Sequence, residues 1–299
     1  MNTRDLEYFV KLVEIKNFSQ VAAHFSVTQP TITMALKRLE DQFTIQLIQR
    51  DQSHGHLTVT LAGEQLYARA QVVIAQLHLA REELGRIRDK KIRLGLPPIL
   101  GNYYFPKIAR ALIGQGLMDQ IETVESGSDA LFQQVRDGQL DIALLGSSGP
   151  NTDSELQATQ IARTAFAIVV PKDHVLATRE TVRFAELEQF AFVMLSAGFS
   201  HVRAFDWFAQ HNQMHPNVVY RTPDVTMLKN MIKQGVGIGF LTQLAVTPED
   251  DLVTVKIEDP QQPRFVISVV TRKQQVLAPA TQQLKDVLLG KNKDDEKND

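Results

Sequence analysis

Ser126, Ser128, Ser196 and Ser200 follow closely on stretches that read as strands, and His201 and Arg203 come just after the last of them. Pro98, Leu100 and Asn102 fall at a third point of the same kind, giving nine candidate ligand-binding residues. Hydroxyls and basic groups at the starts of helices suit the holding of a small carboxylate, because a helix N-terminus offers unpaired amides to an anion. A serine in such a place is equally an N-cap, and His201 equally a surface group, so both readings stand. A second set has a different chemistry. Thr28, Gln29, Thr31 and Thr33 set short polar groups near the start of one helix, beside Pro30, and Lys37 and Arg38 add two cations farther along. That order suits an element lying in the major groove of DNA, with N-terminal residues at base edges and cations at phosphates. A helical hairpin with a solvated polar face fits this segment as well. Catalytic chemistry finds no support: HExxH, GxSxG and Walker patterns are absent. Gly235, Gly237 and Gly239 follow a helix and precede a strand, the reverse of a dinucleotide fingerprint. His54 and His56 lack the acidic or sulfur partners a metal needs. No cofactor, metal or catalytic residue is therefore assigned.

The elements that must position these residues are legible in order. Phe18 to Glu40 reads as two short helices, with Ala22, Ala23 and Phe25 on one apolar face and Ile32, Leu36 and Leu39 on the other. Ser26, Val27 and Thr28 form the break; Thr28 is expected to cap the second helix through its hydroxyl, with Pro30 in the first turn. Leu6, Phe9, Val10, Leu12 and Val13 give residues 4–16 a covering stripe. Residues 50–60 read as a hairpin, with Arg50 and Ser53 placed for phosphate or minor-groove contact. A long helix then runs from Gly63 to Asp89. Leu66, Ala70, Val73, Leu77, Ala80, Leu84 and Ile87 alternate at spacings of four and three, the seam of a coiled coil. No other segment here has the length to cover that seam, so a second subunit is the expected partner, bringing two N-terminal units side by side. Beyond Lys90 strands and helices alternate, as in a parallel sheet flanked by helices.

Composition sets the outer limits. With 299 residues, 43% of them hydrophobic, the chain can form two or three domains. It has no cysteine, which excludes disulfides, thiol redox chemistry and cysteine-bound zinc. The net charge of −2 divides into balance over residues 1–60, +3 over 61–93 and −5 beyond. The N-terminus lacks the uninterrupted apolar core of a signal peptide, and no run reaches a membrane span, so a cytoplasmic protein without a membrane partner is expected. That expectation opposes a transport-type solute receptor. The other alternative is a small-molecule-binding α/β protein or enzyme that does not bind DNA. The charged tail 291–299 is expected to be disordered.

The stretch LEYFVKLVEIKNFSQVAAHFSVTQPTITMALKRLEDQF, with LIQR at 47–50 and VTLAG at 59–63, resembles the LysR-type bacterial transcriptional regulators. VRDGQLDIALLG at 135–146 and IKQGVGIGFL at 232–241 extend the resemblance over essentially the whole chain. A weaker likeness is to the malolactic-fermentation regulators of lactic acid bacteria. The resemblance implies a winged helix-turn-helix over 1–62, a linker helix that dimerises over 63–90, and an α/β effector domain over 91–290 with the two-lobed fold of periplasmic binding proteins. Lobe I would comprise 92–162 and 265–290 and lobe II 163–264, with crossovers near Ala162 and Arg264. By motif, Thr28, Gln29, Pro30, Thr31, Thr33, Lys37 and Arg50 would face DNA. The implied partners are double-stranded promoter DNA, RNA polymerase, further copies of the chain as a homodimer or homotetramer, and a small-molecule effector, expected to be an organic acid. The sequence departs from the family pattern at Met34, where many relatives have a small or basic residue, and in a turn and wing of little basic character.

Overall fold

The computed structural model describes residues 2–50, 57–150 and 153–291, and the chain divides into two compact units, Met1–Gly85 and Arg86–Asp299. The first unit begins with α1 (Thr3–Ile15), α2 (Phe18–His24) and α3 (Gln29–Phe43). Asn2 and Asp5 start α1 reciprocally: the Asn2 side chain accepts from the Asp5 amide at 2.8 Å, and the Asp5 carboxylate accepts from the Asn2 amide. The Asn17 side chain caps α2 by accepting from the Gln20 amide at 3.0 Å. Leu6, Phe9 and Leu12, Val21 and Ala22, and Ile32, Ala35, Leu36 and Leu39 close one core among the three helices. A two-stranded wing follows, β1 (Ile48–Arg50) antiparallel to β2 (Leu57–Val59). The Glu40 side chain ties it to α3 by accepting from the Leu47 amide at 2.8 Å.

α4 (Leu61–Asp89) starts two residues before the expected Gly63, and its opening turn explains that glycine. A Cβ on Gly63 would meet the Leu47 carbonyl oxygen at 2.2 Å, so only hydrogen fits between helix and wing. The seam expected along α4 needs a correction at its N-terminal end. Ala70 is buried and Leu66 half-buried in the core of the first unit itself, because that turn of the helix covers α1 to α3. Val73, Leu77, Leu84 and Ile87 are exposed.

The second unit alternates as expected: β3 (Ile92–Gly95), α5 (Pro98–Gly114), β4 (Ile121–Val124), α6 (Ser128–Arg136) and β5 (Ile142–Ser147), then β6 (Leu156–Pro171), β7 (Thr181–Val182) and β8 (Ala191–Leu195). It continues with α7 (Ser200–His211), β9 (Asn217–Thr222), α8 (Val225–Lys233), β10 (Ile238–Thr242), β11 (Leu252–Ile257), β12 (Arg264–Arg272) and α9 (Pro279–Leu288). The main sheet runs β4-β3-β5-β12-β6-β10-β8-β9, with β11 and β7 to one side. β3, β4 and β5 are parallel and form one lobe; β8, β9 and β10 are parallel and form the other. The sequence reads as two strands over 156–162 and 165–170, but the structure has the single strand β6 there. It pairs with β12 as far as Ala165 and with β10 from Phe166, so the first crossover lies at 165/166. No helix of the described residues is long and apolar enough to cross a membrane. Of the tail expected to be disordered at 291–299, residues 292–299 lie outside the described residues.

Candidate nucleic-acid interface and ligand cleft

The faces of α3 separate by their burial. Ile32, Ala35, Leu36 and Leu39 point into the core, while Thr28, Gln29, Pro30, Met34 and Lys37 are exposed and Thr31 and Thr33 half-buried. Thr28 stands at the N-cap position but makes no capping bond; its hydroxyl pairs instead with that of Thr31 at 2.9 Å. Arg38 also departs from expectation. Its guanidinium grips the carboxylate of Asp5 through Nε at 3.2 Å and Nη2 at 2.5 Å, tying α3 to the start of α1. Burial pushes the Asp5 carboxyl up, but the Arg38 hydrogen bond, the Asn2 amide and the Arg38 charge together hold it below its usual value. Arg38 therefore ties α3 to α1 while staying exposed, and Lys37 is the exposed cation of α3 without that tie. Arg50 closes β1, and Ser53, His54 and His56 lie outside the described residues.

In the second unit the lobes meet at the N-terminus of α6. The Asp129 amide donates to the Gly198 carbonyl at 3.1 Å, and Arg203 Nη1 donates to Asp129 Oδ1 at 2.5 Å. Gly127 sits against the same carbonyl, where a Cβ would stand 2.5 Å from the oxygen. The side chain of Ile99, on the first turn of α5, reaches into an apolar cluster with Val169, Val193, Leu195 and Phe199 of the second lobe.

This bridge has a cavity on either side. One, of about 610 Å3, is lined by Pro98, Asn102 and Ser126 of the expected set, together with Glu125, Phe199, Asp224 and Thr226. Among the described residues it brings two acids, Glu125 and Asp224, and no cation. The other, of about 480 Å3, is lined by Ser128 and Arg203, with Asp129, Ser147, Ser148 and Ser268 added. Ser147 and Ser148 are not among the expected residues, although they stand at the end of β5 much as Ser126 and Ser196 follow β4 and β8.

Four of the nine expected residues lie elsewhere. Leu100 is fully buried in the main core, because it faces inward on α5. Ser196 is half-buried, with its amide donating to Thr222, and lines neither cavity. Ser200 is buried at the start of α7. His201 is a core residue with no charge to offer. It packs against the rings of Phe166 and Phe265, its Nε2 accepts from the Thr242 amide at 3.2 Å, and burial lowers its pKa to about 3. Its Nδ1 is buried without a hydrogen-bond partner.

The last turn of α4 is fixed by a feature that the sequence did not disclose. Arg86 donates to Asp141 Oδ1 at 3.2 Å and to the Gly138 carbonyl at 3.0 Å, while the other Asp141 oxygen accepts from the Arg93 amide. This buried pair fastens the helix end to β3 and β5, and its partners lie about fifty residues apart in sequence.

Residues 3–85 match the bacterial regulatory helix-turn-helix protein of the lysR family, and residues 86–293 match the LysR substrate binding domain. The chain belongs to the LysR family. LysR proteins are DNA-binding transcriptional regulators with an effector-binding domain, not enzymes, and the two matched segments meet where the two compact units divide. The malolactic fermentation system transcriptional activator of Lactococcus lactis is 27% identical over 289 residues, covering 96% of this chain and 98% of that one. A cysteine mutant of OxyR from Corynebacterium glutamicum is similar in fold, with a TM-score of 0.56 at 22% identity over 97% of this LysR chain and 92% of that structure. This chain has no cysteine, so whatever a thiol does there has no counterpart here. The effector binding domain of QuiR in complex with shikimate gives a TM-score of 0.59 at 15% identity, covering 67% of this chain and 95% of that structure.

Proposed function

We propose that the protein regulates transcription as a homo-oligomer, a dimer or a pair of dimers, that reads a two-fold promoter site with α3 and responds to a small carboxylate held between the lobes. Pairing rests on Val73, Leu77, Leu84 and Ile87, which repeat on α4 and are exposed in the single chain. Two seams packed together bring two α3 helices to adjacent half-sites. The output passes to RNA polymerase at the promoter, in the cytoplasm.

The observation that carries the effector reading is Arg203. Among the described residues lining the two cavities it is the only cation, and it stands among the hydroxyls of Ser128, Ser147, Ser148 and Ser268. A guanidinium together with hydroxyls suits a carboxylate that carries hydroxyl groups. The shikimate in the QuiR structure is a ligand of that kind. Because Arg203 already pairs with Asp129 across the lobes, a bound carboxylate competes for the group that holds the lobes together. Calorimetry of the whole protein against shikimate, malate and succinate tests this. Heat from at least one acid, abolished by Arg203→Gln, is expected; no heat from any carboxylate removes the effector assignment.

A further inference from the structure

We propose that Met34 is a base-reading residue, and that it takes the 5-methyl group of a thymine in the major groove. Met34 is 51% exposed at the centre of the outward face of α3, opposite the buried Ile32, Ala35, Leu36 and Leu39. It lies one helical turn from both Pro30 and Lys37, on the face that a recognition helix turns to DNA. Its neighbour at the next turn, Arg38, is held by Asp5, so the guanidinium does not fold across the methionine. Single exposed apolar side chains are common on protein surfaces. Met34 differs in its place, on the one surface whose work is to touch bases, among polar residues that suit that work.

The chemistry of the groove then names the partner. Base edges there present hydrogen-bond donors and acceptors, which a thioether cannot match, and one apolar group, the methyl of thymine. An unbranched, polarisable side chain adapts its rotamer to that methyl. Gln29, exposed one and a half turns earlier, carries the amide that suits an adenine edge. The face as a whole therefore favours A·T pairs in the half-site, with Met34 supplying the discrimination that depends on a methyl group. The inference rests on DNA binding by the family and is independent of the effector.

The test uses the full-length protein and an operator selected from random duplexes. Each thymine of a half-site is replaced in turn by deoxyuridine, which removes only the methyl, and affinity is read by fluorescence anisotropy for the wild type and for Met34→Ala. One thymine in the half-site is expected to cost the wild type about fourfold when its methyl is lost, the worth of one buried methyl group. The same replacement should leave Met34→Ala unchanged, with the salt dependence of binding equal in the two proteins. Thermal unfolding of Met34→Ala should match the wild type, since the side chain is exposed. Methyl loss that is silent at every thymine in the wild type, or that weakens both proteins equally, overturns the assignment. Failure to select any operator overturns the DNA reading itself, and Met34 with it.

Discussion

Replacing Gly127 by alanine should loosen the two lobes without straining the chain. The backbone at Gly127 has φ −64° and ψ 149°, a conformation any residue adopts, so the substitution is not penalised there and slightly restricts the unfolded chain. The effect is steric instead. The new Cβ would lie 2.5 Å from the Gly198 oxygen and 2.8 Å from its carbon, and backbone on the far side has no rotamer with which to give way. The lobes must part by roughly an ångström to reach ordinary contact. That stretches the 3.1 Å bond from the Asp129 amide to Gly198, a neutral bond with a net worth of about 1 kcal/mol. It also disturbs the half-exposed Arg203–Asp129 pair, which screening limits to about 0.2–1 kcal/mol. The sum, about 1–2 kcal/mol, is a five- to thirtyfold gain in the open population. Hydrogen exchange at the Asp129 amide measures it directly: exchange in Gly127→Ala should quicken by that factor. Gly114→Ala, where a Cβ meets nothing within 4 Å, should leave it unchanged. Equal protection of Asp129 in the wild type and Gly127→Ala would refute the interlobe contact.

Arg86→Ala leaves the buried Asp141 carboxylate without its charge partner and should cost about 3–5 kcal/mol in urea unfolding of the effector domain. Arg86→Met with Asp141→Leu should recover most of that loss, whereas a double variant as weak as the single one would show that the pair does more than neutralise itself. His201 titrates near 3 when folded and near 6.5 when unfolded, so its contribution to stability is complete above pH 6.5 and is lost as pH falls toward 3. Between pH 7 and 5 the wild type should lose about 2 kcal/mol through this group, and His201→Phe should lack that part of the slope when denaturant midpoints are compared. Leu84→Asp puts a charge on the exposed seam of α4 and should raise the dissociation constant of the assembly by at least tenfold in sedimentation equilibrium, without lowering the melting temperature of either unit. An unchanged assembly would move the interface elsewhere.

The elements were legible because periodicity is local: the stripe of Leu6, Phe9 and Leu12 and the alternation after Lys90 appear as read. β6 reads as two strands in the sequence because Ile161 to Thr164 mixes half-buried and exposed residues, and the ladder with β12 does shift register there, skipping Ile161, before it resumes. Helix starts were legible as places for hydroxyls, but not the direction each side chain takes. Ser126 and Ser128 are two residues apart and line different cavities, and His201 turns into an aromatic core that assembles from β6, α7 and β12. The seam on α4 repeats without interruption, yet its first two positions are claimed by the first unit. Arg38 and Arg86 teach the same lesson, since each carboxylate partner is remote in sequence and only the folded chain brings it near.

Two reading helices held by one assembly are expected to engage a DNA site together. Five base pairs inserted between the half-sites of a selected operator rotate one half by half a helical turn. Affinity for the full-length protein should collapse to that of a single half-site and return when ten base pairs are inserted. Equal affinity at all three spacings would contradict it.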